Sequence, residues 1–193
     1  MKPCNVLLLS AAFAGFAATV GAAPLEVDYK QSKIDVAVSA TIDSFVGHLD
    51  RYEAAVDCEA ATNLPTKAEV SFNFSDLKTG NTDRDAEMLK WLEYPANPKA
   101  TFVLNAWRQS GTTNLAVGEL TIHGVTKVIQ MPVVAKNTNG VWDISGEANF
   151  DYRDFNLPKI RKMLMLVVNP HLKVTFHLIG NAPAAKPVAG SSS

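Results

Sequence analysis

Hydrophobic and polar positions alternate with period two through most of this chain. Ile34, Val36, Val38, Ala40 and Ile42 alternate with Lys33, Asp35, Ala37, Ser39 and Thr41. Val70, Phe72 and Phe74 alternate with Glu69, Ser71 and Asn73, and Phe102, Leu104 and Ala106 with Thr101, Val103 and Asn105. Near the C-terminus, Leu172, Val174, Phe176 and Leu178 alternate with His171, Lys173, Thr175 and His177. Successive strand side chains point to opposite faces, so each segment presents one apolar and one wetter face, as antiparallel sheets do. Further strands are predicted over 45–56, 116–122, 128–135 and 141–152. The total is about eight, the number at which a closed barrel is just wide enough to hold one small ligand. A β-sandwich has the same periodicity; closure is favoured because open strand edges invite pairing with other chains.

The punctuation fits antiparallel hairpins. His123-Gly124-Val125-Thr126 and Asn137-Thr138-Asn139-Gly140 separate strand runs with residues that tolerate positive φ, and Gly111-Thr112-Thr113-Asn114 separates another pair. One segment departs from this rhythm. The cap-like Thr82, the early acids Asp83 and Asp85, and Met88, Leu89 and Leu92 at helical spacing predict a short helix over 83–93, ended by Pro95. It is expected to cover or plug part of the barrel.

The ends change the picture. Lys2, the apolar run through Val6-Leu7-Leu8-Leu9 to Phe16, and the small residues Gly21-Ala22-Ala23 follow the order of a cleaved secretory signal peptide over 1–23. The run is shorter than the ~20 residues of a membrane-spanning helix. Residues 24–180 then form one domain exported to the periplasm, without stable membrane insertion. Residues 181–193, rich in Ala, Pro, Gly and Ser, read as a disordered tail. Removing Lys2 leaves 17 of the 18 basic residues against 19 acidic ones, a net of −2, with no concentrated basic face for nucleic acid. Cys58 alone of the two cysteines survives cleavage and has no internal disulfide partner, so burial as a small hydrophobe is expected.

Four ordered segments resemble the YceI-like family of polyisoprenoid-binding, lipocalin-like proteins. They are Ser32-Lys33-Ile34-Asp35-Val36-Ala37-Val38 leading to Phe45-Val46-Gly47-His48-Leu49; Thr79-Gly80-Asn81-Thr82-Asp83-Arg84-Asp85 followed by Tyr94-Pro95 and Ala100-Thr101-Phe102; Gly118-Glu119-Leu120-Thr121-Ile122-His123-Gly124-Val125-Thr126-Lys127; and Tyr152-Arg153-Asp154-Phe155-Asn156-Leu157. The third is the most specific. The resemblance implies an extended antiparallel eight-stranded lipocalin-like barrel with a short helix. It also implies a bound long-chain isoprenoid-type lipid, polyprenyl or quinone-like, as ligand, and no separate cofactor. Leu49 stands where the family commonly has an aromatic, Asn156 where it has a glycine, and Ala96-Asn97-Pro98-Lys99 lengthens the link after Pro95.

With that resemblance, the inward-parity residues Val36, Val38, Phe45, Phe72, Phe74, Phe102, Leu104, Leu120, Phe150, Val174 and Phe176, with Met163 and Met165, become candidate lining of an apolar pocket. Arg84, Arg153, Lys159 and Arg161 are candidates for a polar head group or rim, although a planar guanidinium also suits bracing a loop, and bracing is favoured for Arg84 and Arg153. No nucleophile elbow, His-Glu-x-x-His pair, phosphate loop or Cys-x-x-Cys motif is present, so catalysis and metal binding are not expected. His171 and His177 share one strand face but lie roughly 20 Å apart at about 3.3 Å per residue, too far to share an ion. The alternatives are a stress or assembly factor whose barrel is filled by its own side chains, and a hydrolase with a triad assembled in space. A homodimer stays open.

Overall fold

The computed structural model describes residues 22–41, 44–59, 61–162 and 166–182. Residues 1–21, most of the segment expected to be a signal peptide, and the residues after Ala182 lie outside that set. Thirteen strand segments form one sheet with its appendages: β1 (Ala23–Pro24), β2 (Glu26–Val27), β3 (Lys33–Ala40), β4 (Phe45–Leu49), β5 (Glu53–Glu59), β6 (Leu64–Asn73), β7 (Leu77–Lys78), β8 (Lys99–Ser110), β9 (Thr113–Ile122), β10 (Val125–Thr138), β11 (Val141–Asp151), β12 (Arg161–Lys162) and β13 (Leu166–Asn181). A single helix, α1 (Thr82–Trp91), interrupts them. All pairings are antiparallel, in the order β1-β5-β6-β8-β9-β10-β11-β13-β3-β4-β7.

The thirteen segments occupy eight lanes, because the strand predicted over 45–56 is one lane bent in the middle. β4 pairs β3 and β7, whereas β5 pairs β6 and β1. The bend at Asp50-Arg51-Tyr52 is held by the buried Asp76, whose carbonyl accepts the Asp50 N–H at 3.0 Å while its carboxylate accepts Arg51 Nε and Nη2 at 3.0 and 2.8 Å. The neighbouring lane breaks at the same level, where the 3₁₀ turn Phe74–Asp76 separates β6 from β7. Both lanes turn together, as they must for the sheet to curl.

The first described residues staple two lanes. Ala23 and Pro24 pair Cys58 and Asp57 on β5, and Glu26 and Val27 pair Asn181 and Gly180 on β13. The Leu25 N–H donates to Val56 O at 2.7 Å and the Asp28 N–H to Ile179 O at 2.8 Å. Asn181, read from sequence as tail, belongs to this sheet, and the Ala182 N–H donates to Gly140 O at 2.9 Å. Backbone pairing extends the ordered body two residues past the expected boundary.

The hairpin turns follow their sequences. Asn139 and Gly140 (φ 52° and 88°) and His123 and Gly124 (φ 50° and 70°) form two-residue turns with the left-handed backbone that matches strand twist. Asn81, rather than Thr82, caps α1, accepting the Arg84 N–H on its side chain at 3.0 Å.

Two wall glycines are shaped by neighbouring aromatics. A Cβ at Gly146 would fall 2.5 Å from Phe176 Cζ and 2.8 Å from Pro132 O, and a Cβ at Gly118 would collide with the Phe102 ring. Each ring therefore lies back against bare backbone instead of projecting across the barrel. Space is left in the middle.

Candidate functional site

That space is a cavity of about 840 Å³ inside the barrel. On β3 and β4 the expected wall residues Val36, Val38 and Phe45 border it. Phe72 borders it from β6, Phe74 from the following turn, and Phe102 and Leu104 from β8. Leu120 on β9, Phe150 on β11, and Val174 and Phe176 on β13 complete the inner face. Several of these inward side chains, Phe72, Phe102 and Phe176 among them, are only half-buried. Met163 and Met165, expected at the mouth, lie outside the described residues, as does Ile42.

Parity fails in one place. Between Leu104 and Ala106 the β8–β9 register shifts, with Leu104 opposite Gly118 and Ala106 opposite Val117. The extra residue, Asn105, reverses the faces beyond it. Ala106 consequently points to solvent, and Trp107, outward by strict alternation, borders the cavity. Its indole Nε1–H donates to Pro65 O on β6 at 2.7 Å.

The two ends differ chemically. At one end the border includes Thr79, Asn81, Asp83, Arg84, Glu87 and Lys159, nearly all of the polar lining residues. They stand around the first turns of α1, whose Met88, Trp91 and Leu92 also face the cavity. Met88 and Leu92 were legible as part of an apolar helical stripe expected to cover the barrel, whereas Trp91 was not singled out. Trp91 is pinned there by its Nε1–H bond to Pro158 O at 2.9 Å and an edge-to-face contact with Tyr152 at 5.1 Å. The opposite end is apolar and is backed by a buried cluster including Leu25, Cys58, Trp142 and Ala182, none of which reaches the cavity.

The candidate head-group cations separate. Arg84 is at the polar end, where its guanidinium carbon lies 3.9 Å over the Phe45 ring, Nε donates to Thr79 Oγ1 at 2.9 Å and Nη2 to Thr79 O at 3.3 Å. Asp85 supports the same loop by accepting from Thr79 N and Oγ1 at 3.0 and 2.6 Å. Lys159 is exposed at the same end. Arg153 is not on the cavity. Its Nε and Nη2 donate to both oxygens of Asp151, at 3.0 and 2.5 Å, and the Arg153 N–H adds a bond of 2.8 Å, so it braces its own turn. Arg161 pairs Val167 through its backbone; its side chain is outside the described set. The left-handed Asn156 (φ 59°) follows that turn, which accounts for a position where glycine is common.

The Arg153 brace has a pH signature. Its hydrogen bonds hold the Asp151 carboxyl down at about 2, against an ordinary value of 3.8. A depressed carboxylate contributes stability that is complete above the unfolded pKa and lost as pH falls through the folded one. Arg153→Gln should therefore melt slightly below wild type at pH 7, and the gap should close between pH ~4 and ~2. The pair is surface-exposed, so the offset is small. A gap that persists at pH 2 contradicts the assignment.

The histidines and Cys58 do not border the lumen. His48 Nδ1 is 2.7 Å from Asp35 and His177 Nε2 is 3.0 Å from Asp143, both on the outer face, and His123 sits in its turn 3.5 Å from Glu93. Burial pushes the Cys58 thiol up to about 12, so it is protonated and unreactive at neutral pH.

Three comparisons bear on this arrangement. The profile of the YceI-like domain matches residues 25–179. The fold is similar to that of Burkholderia cenocepacia BcnA, at 20% identity and a TM-score of 0.71, over 81% of this chain and 100% of that one. It is also similar to a polyisoprenoid binding domain from Saccharophagus degradans implicated in plant cell wall breakdown, at 18% identity and a TM-score of 0.60, over 84% and 100% of the two chains. The Campylobacter jejuni YCEI protein matches at 20% identity and a TM-score of 0.57, over 72% and 86%. A search of curated proteins finds no match.

Proposed function

Because the chain belongs to the YceI-like domain family, we propose that it is an exported, non-enzymatic carrier that holds a long isoprenoid-type lipid, polyprenyl or quinone-headed, inside its barrel in the periplasm. The observation that carries this reading is the cavity of about 840 Å³, apolar along its walls and polar at one end only. A dry void of that size would cost on the order of 20 kcal/mol at ~24 cal/mol per Å³, more than the 5–15 kcal/mol that holds an ordinary domain together. Apolar walls offer water few partners. An amphiphile with a long tail satisfies both halves of the site, its tail against Phe72, Phe102 and Phe176 and its head beside Arg84 and Lys159. A barrel filled by its own side chains would leave no such volume. The solved polyisoprenoid binding domain of similar fold supports the choice of ligand class. Export is supported by the n-, h- and c-region order of residues 1–23.

The test is extraction of the purified mature protein with organic solvent, followed by mass spectrometry and by titration of the stripped protein with a polyprenol series. An isoprenoid amphiphile should be recovered. Affinity should rise with tail length at up to about 0.8 kcal/mol per buried CH₂ before ordering costs, so removing two isoprene units should weaken binding at least ~tenfold. Repeatedly empty extracts together with a flat series would defeat the proposal.

A further inference from the structure

The geometry points to Trp107 as the floor of the cavity and the residue that sets the longest tail the barrel accepts. This rests on the carrier reading and adds a specificity determinant to it. The residues bordering the cavity end part-way along the strands. β6 contributes none before Pro65, β8 none after Trp107, β10 none after Val133 and β13 none after Leu178. Trp107 is the largest of these end residues. It points inward only because the Asn105 bulge reverses the alternation, and its cross-strand neighbour is the small Ala116. Its indole is held from the neighbouring strand β6 by Pro65 O, which accepts the Nε1–H at 2.7 Å. A donor bond on a rigid ring fixes its position more firmly than packing alone would.

The base beyond it combines the buried Trp142 with small or compact residues. Ala68 and Val56, paired across β5 and β6, also border the cavity, and Ala23, Leu25 and Cys58 lie behind it. Removing the indole joins new space to the apolar end. Filling a neighbouring alanine takes space away. A tail that already reaches the floor gains nothing from further units, because they find no apolar surface to bury.

Stripped mature protein is titrated with farnesol, geranylgeraniol and longer polyprenols. For wild type, affinity should climb with length and then level off. In Trp107→Ala the plateau should move out by at least one isoprene unit, with the ratio of affinities across the old plateau rising on the order of tenfold. In Ala68→Leu the plateau should move to a shorter tail, which keeps the proposal testable if Trp107→Ala does not fold. Trp107→Phe keeps most of the bulk without the Pro65 bond and should retain a plateau near that of wild type. A folded Trp107→Ala with the wild-type length profile overturns the floor assignment, as does an unchanged profile in Ala68→Leu. Absence of binding at every length in wild type instead defeats the carrier reading itself.

Discussion

Phe102→Glu should abolish lipid loading and lower the melting temperature by roughly 10 °C, whereas Thr101→Glu should change neither by much. Phe102 stands on the cavity wall with its ring against Gly118. Losing a packed Phe ring costs about 3 kcal/mol, and a carboxylate in an apolar lining adds a desolvation cost unless it stays protonated. At ~3 °C per kcal/mol for a domain of this size, that gives the stated shift. Thr101 touches the cavity edge but stands in a polar cross-strand row, opposite Ser71 on one side and Thr121 on the other. Thr121 in turn hydrogen-bonds Thr126 at 2.8 Å. A glutamate in such a row should stay within about 0.5 kcal/mol. Thermal melts with lipid content measured on both variants decide the matter. Damage at Thr101 with tolerance at Phe102 would invert the inside and outside of β8.

The second large effect lies away from the cavity. Phe155 is fully buried and does not border the lumen; its ring packs edge-on against Phe150 at 5.6 Å, beside Tyr152 and Leu157. Phe155→Ala should cost about 4 kcal/mol, because this closely packed site can collapse little around the lost ring. The melting temperature should fall ~10 °C or more. Unlike Phe102→Glu, the fraction that remains folded should keep its preference among tail lengths, since the floor and walls are untouched. Chemical denaturation combined with the polyprenol series separates the two behaviours. A Phe155→Ala protein as stable as wild type would mean that the cluster of Phe155, Tyr152 and Leu157 does not support the fold.

Much of this molecule was legible along the chain because strand geometry is local. Alternation at Ile34 to Ala40, Val70 to Phe72 and Leu172 to Leu178 placed those side chains on the correct inner face, since the two-residue period of an extended backbone needs no distant contact to hold. The hairpin turns at His123-Gly124 and Asn139-Gly140 were equally readable, as only a few residue types accept positive φ. The stripe Met88, Leu89 and Leu92 marked α1 by its helical spacing.

Tertiary structure decided what alternation could not. The Asn105 bulge turned Trp107 inward and Ala106 outward, because register between β8 and β9 is settled by both strands together. The lane over 45–56 bent at Asp50-Arg51-Tyr52 through an acceptor, Asp76, more than twenty residues away in sequence. Arg84 and Arg153 sit in similar Arg-Asp dipeptides, yet one faces the cavity and the other is tied to Asp151, a difference set by the fold around each turn. Whether the aromatic stripe packs solid or lines a void was also beyond periodicity, since both need inward apolar residues. The cavity is left open where Phe102 and Phe176 lie back against Gly118 and Gly146, contacts made between strands and visible only once the sheet has curled.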